Sequence, residues 1–76
     1  MNATRRNAIK KLAVQLETMV NDLELVLDEE QYAYDNMPES LQEAANGVKS
    51  LSAVGAIEVA LEAMAEALEN LLEVVE

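Results

Sequence analysis

The chain has 76 residues, 51% of them hydrophobic, with no cysteine, no histidine and a formal charge of −10. This length allows a single domain, 1–76, that buries only about 60% of its unfolded surface; without disulfides or histidine ligands to staple it, oligomerisation or a partner is the remaining source of stability. The hydrophobic fraction argues against disorder, and the acidic balance opposes nucleic acid and anionic membranes while attracting a basic protein surface.

Four of the five basic residues, Arg5, Arg6, Lys10 and Lys11, open the chain; from Leu12 onward Lys49 is the only base beside all fifteen acids. This opening segment lacks the apolar core and cleavage site of a signal peptide, and no run approaches 18 apolar residues, so no membrane segment and a cytoplasmic location are expected. Asn2, Ala3 and Thr4 match a glycosylation sequon but read better as the start of a helix. Helix one is expected from about Thr4 to about Asp35. Ile9, Leu12, Leu16, Met19, Leu23, Val26, Glu30, Ala33 and Met37 alternate by three and four, the spacing of a heptad seam. Ala13, Val20, Leu27 and Tyr34 run beside it and widen the apolar stripe.

Pro38 cannot continue a helix and steers Met37 out of the α region, so a turn and short helix are expected over about 36–48. The favoured restart is Ser40 with Glu43, with Asn36 and Glu39 the alternative; both pairs have the spacing of a reciprocal cap. Asn46 and Gly47 then offer a C-terminal stop. Helix two is expected over about 51–75 on the seam Val54, Ile57, Leu61, Met64, Leu68, Leu71 and Val75. Beside that seam, Ala53, Ala56, Ala60, Ala63 and Ala67 form a small-residue row suited to self-association, although alanine's high helix propensity explains the row equally well. Gly55 should cost ~1 kcal/mol relative to alanine unless it serves a close crossing or a bend.

The expected fold is therefore all-α: an antiparallel helical hairpin, long helix, short helix, long helix, with coiled-coil-like packing, pairing into a dimeric four-helix bundle. Paired residue numbers should sum to 83 or 84, which sets Leu12 against Leu71, Met19 against Met64 and Val26 against Ile57. Glu30 is the polar member of the seam. Drift of the stripe toward Leu27 and Tyr34 would carry it to solvent, a reading preferred over a buried pair with Lys49.

Catalytic chemistry finds little support. There is no histidine to activate a nucleophile, and two or three thin helices offer little cleft for paired carboxylates. No catalytic residue, cofactor or metal site is expected, since di-iron bundles need Glu-x-x-His and an EF-hand needs alternating acids with glycine. Glu58, Glu62, Glu66, Glu69 and Glu73 make a carboxylate stripe about 22 Å long on helix two. No lysine four residues away relieves it, and unneutralised like charges cost ~0.2–0.5 kcal/mol per pair. The stripe is read as a partner-binding face able to imitate a phosphate backbone, with solubility the plainer explanation. Tyr32, Asp35 and Asn36, which the helix end does not require, are the candidate recognition epitope at the hairpin tip.

The segment Ala33 to Gln42, AYDNMPESLQ, followed by a second acidic helix, resembles a group of small uncharacterised phage and prophage proteins with an AYDN-x-PESLQ core between two helices. The resemblance implies a phage origin and a helical hairpin, and no catalytic residues. The expected function is a non-enzymatic acidic interaction module in the bacterial host cytoplasm. It would bind, and in the strongest form inhibit, a basic host or phage protein that handles nucleic acid, without binding nucleic acid directly. The alternative is an assembly factor whose function is homo-oligomerisation.

Overall fold

The computed structural model describes all residues, Met1–Glu76, and is entirely helical: α1 (Ala3–Asp35), α2 (Glu39–Gln42) and α3 (Ala45–Val75). At ~1.5 Å per residue the long helices measure about 50 and 46 Å, yet the molecule spans only 58 × 15 × 14 Å. The chain must fold back on itself, and α3 lies along α1.

α1 starts where an oxygen-bearing side chain precedes the helix. Asn2, extended at φ −75° and ψ 166°, accepts a hydrogen bond at 2.9 Å from the Arg5 backbone N–H, which satisfies one of the otherwise orphaned first-turn donors. The helix ends at Asn36, whose backbone N–H and side-chain amide both donate to the Tyr32 carbonyl, at 3.1 and 2.7 Å. The Tyr34 carbonyl accepts from the Met37 N–H at 3.1 Å and from Gln42 Nε2 at 2.9 Å. Gln42 therefore ties the far side of the turn to the end of α1.

Pro38 precedes α2, and its carbonyl accepts from the Leu41 and Gln42 N–H groups at 2.8 and 3.0 Å. Ser40 is inside this single turn and does not cap it; neither expected reciprocal cap forms, because no side chain caps α2. The expected boundary of helix two is also corrected. α3 begins at Ala45, six residues before the expected 51, after an extended Ala44 that offers no side-chain acceptor. Asn46 and Gly47, read as a stop, sit in its first turn.

Gly47 explains why the chain can turn so tightly. It is buried, and a Cβ at this position would collide with the backbone carbonyl oxygens of Leu41 and Gln42 and lie 2.6 Å from Gln42 Cα. Any side chain would push α2 off α3. Gly55 has no such role, since nothing lies within 4 Å of where its Cβ would be.

The core is a single seam. On α3 it follows the expected series from Val54 to Val75, extended toward the tip by buried Ser50 and Gly47. On α1 the expected seam is half correct. Ile9, Leu16, Leu23 and Met37 are partly buried, but the positions between them are Ala13, Val20, Leu27 and Tyr34. Leu12, Met19 and Val26 are instead 54, 59 and 48% exposed. The expected pairs that used these three are not core pairs. The two series differ by one residue, and bulk favours the wrong one: Ala13, at 3% exposure, is among the most buried residues of the molecule because its small side chain lets α3 come close.

Glu30 also departs from expectation. The stripe does take Leu27 and Tyr34, yet Glu30 stays on the seam, half-buried, and its Oε1 accepts a hydrogen bond from Ser50 Oγ; Lys49 is exposed. Those two numbers sum to 80, about one seam step from the expected register. Removing only the hydroxyl, Ser50→Ala, should cost about 1–3 kcal/mol by leaving a polar group unpaired, whereas replacing both partners by apolar groups can be neutral or stabilising. Urea melts of Ser50→Ala and of the Glu30→Leu/Ser50→Ala double variant check this. A double variant less stable than the wild type would show that the pair contributes more than its replacement.

Candidate partner-binding surfaces

In an antiparallel pair with a and d on the seam, the g positions of both helices flank one side of the hairpin and the e positions flank the other. Ala13, Val20, Leu27 and Tyr34 occupy a on α1, and Val54, Leu61, Leu68 and Val75 occupy a on α3. The surface then divides by chemistry.

Glu58 falls at e, Glu62 and Glu69 at b, and Glu66 and Glu73 at f, which are neighbouring columns on the e side of α3. All five are exposed. Glu17 and Glu24, also exposed, occupy two of the e positions of α1, between Lys10 and Gln31, so carboxylates from both helices share that side of the rod. Their summed field is negative and they lie on a rigid helix instead of a mobile loop.

The alanine row occupies the other half of α3. Ala53, Ala60 and Ala67 are at g, Ala56 and Ala63 at c, and all five are exposed. Across the seam the g positions of α1 are Leu12, Met19, Val26 and Ala33, likewise exposed, with Arg5 one heptad before them at the start of the helix. Sequence reasoning missed this row as a surface because it had assigned those residues to the core. A signal was present: two parallel apolar series on α1 exceed what one partner helix can cover.

At the tip, Asn36 is occupied as a cap, and Asp35 accepts a hydrogen bond from Gln31 Nε2 at 2.9 Å, within reach of solvent. Tyr32 is 72% exposed. It is the tip residue whose side chain the local structure leaves free for a partner.

No pocket opens on the molecule, no group of acidic side chains converges as metal ligands do, and no helix is long and apolar enough to cross a membrane. Comparison with family models, with curated proteins and with solved structures finds no match.

Proposed function

We propose that the chain is a non-enzymatic acidic interaction module of phage origin that works in the bacterial host cytoplasm. It binds a basic surface on a protein that handles nucleic acid, and in its strongest form inhibits that protein by imitating a phosphate backbone. The observation that supports this most is the exposed row from Glu58 to Glu73, with no base within four residues of any of its members along the helix. Helical spacing repeats its charge over about 22 Å, and the e-side acids of α1 broaden it. A surface of this kind accelerates encounter with a cationic partner and makes the complex salt-sensitive.

The test begins with the protein recovered from a host lysate on the immobilised chain. Reversing Glu62, Glu66 and Glu69 to lysine is expected to weaken that complex at least about tenfold at low salt, to flatten its salt dependence, and to leave the helical circular dichroism unchanged. Duplex DNA should displace the chain from the same partner. Affinity that is constant across a salt series would end the mimicry reading.

A second reading, an assembly factor that acts through self-association, is supported by the size of the core. Only two hydrophobic residues, Ala13 and Val54, are buried in a chain that is half hydrophobic. In this reading the alanine row contributes to pairing of two hairpins into a four-helix bundle. A dimer that recovers no host protein would favour it over the first.

A further inference from the structure

We propose that a second copy of this chain covers the g side of the hairpin, a face built jointly by Leu12, Met19 and Val26 of α1 and Ala53, Ala60 and Ala67 of α3, leaving both acidic sides outward. The proposal rests on the self-association reading above and names its surface: the alanines are half of an interface whose larger side chains come from the other helix.

Area provides the first support. The molecule exposes 5584 Å², whereas a compact monomer of 8.3 kDa exposes about 4,600 Å². The excess, about 1,000 Å², is comparable to the ~800 Å² that each partner buries in a standard stable interface. Chemistry then selects the face. The six named positions carry no charge, and large residues on α1 stand beside small ones on α3. A two-fold axis would lay α1 of each copy over the alanine row of the other, so that the leucine, methionine and valine enter the shallow surface left by the alanines. Such a face is complementary to itself.

Charge limits how the second copy can sit. Each copy carries −10, and two such copies repel wherever acids meet. The e side is closed to a second copy for that reason. Packing through the g sides separates the two acidic surfaces by two helix layers, each rod being 14–15 Å thick, which is more than the ~8 Å over which charges act at physiological salt. The dimer would present two opposed acidic surfaces, and could engage two basic partners or two sites on one.

Sedimentation equilibrium of the full chain, with circular dichroism at matched concentrations, tests the proposal. The wild type should be a dimer. Met19→Glu and Ala60→Glu each place a charge on the covered face and should raise the dimer dissociation constant by about 100-fold or more, since an unpaired charge there loses its water. Leu25→Glu and Val59→Glu change residues that are as exposed but lie at f, 62 and 66% open, and should leave the dimer intact. Unfolding confined to the Met19 and Ala60 variants also supports the proposal, because both side chains are exposed in a single copy and only a covering copy would make a charge there costly. A wild-type monomer overturns both this face and the self-association reading. A dimer that resists both g-side charges, or is lost to the f-side ones, overturns the face alone.

Discussion

Substituting alanine at the two glycines should move stability in opposite directions. Gly55→Ala is expected to stabilise the protein by about 1 kcal/mol, the helix-propensity difference, because the added methyl meets nothing. Gly47→Ala gains the same propensity but drives a Cβ into the carbonyls of Leu41 and Gln42. Those atoms are backbone and cannot rotate away. Overpacking of this kind costs about 1–3 kcal/mol, and forced contact with backbone belongs at the upper end of that range, so net destabilisation of about 1–2 kcal/mol is expected. For a domain of this size each kcal/mol shifts the midpoint by about 4–8 °C. The two variants should therefore melt on the order of 10 °C apart when compared at one protein concentration. Equal or reversed shifts would show that α2 does not press on α3.

Val54 should be more sensitive still. It and Ala13 are the only hydrophobic residues brought to 3% exposure, and a domain this small has about 3–5 kcal/mol of core stability in all. Val54→Ala deletes two methyl groups at ~0.8 kcal/mol each and adds a cavity term, so a loss of about 2 kcal/mol is expected. Val54→Asp buries a charge with no partner, which costs several kcal/mol and should leave the chain largely unfolded in water. Urea titration followed by circular dichroism reads both. Wild-type stability in the aspartate variant would place position 54 at the surface.

Much of the helical layout was legible because its signals are local. Asn2 is a cap by residue type, Pro38 interrupts a helix by covalent structure, and the α3 seam from Val54 to Val75 has beside it only a row of alanines, so bulk there points to the right series. The α1 seam was not legible in the same way. Leu12 and Ala13 begin two apolar series offset by one residue, and choosing between them requires the other helix. Apolar bulk pointed to Leu12; close approach selected Ala13. The start of α3 was hidden for a different reason. Ala44 offers no capping oxygen, and Asn46-Gly47, a helix-stop pair by statistics, here supplies the one residue small enough to pass beneath α2. The division of the surface followed from these choices. Once Ala13 and Val54 define the seam, the acids and the alanines of α3 fall on opposite sides, and the composite apolar face becomes visible.

The hydrogen bond from Gln42 to the Tyr34 carbonyl joins residues eight apart in sequence, and that from Ser50 to Glu30 joins residues twenty apart. Contacts at the open end of the rod close loops of more than sixty residues. The entropy of loop closure rises with the logarithm of length, so the turn is the least costly place for the first cross-chain contacts, and each later layer closes only a small further loop once the one before it is made. The molecule is therefore expected to close as a zipper from AYDNMPESLQ, and to fray first at the opposite end, where Met1 and Glu76 lie. The short-range bonds at the turn thus govern the order in which the whole rod closes, as well as the direction in which the chain reverses.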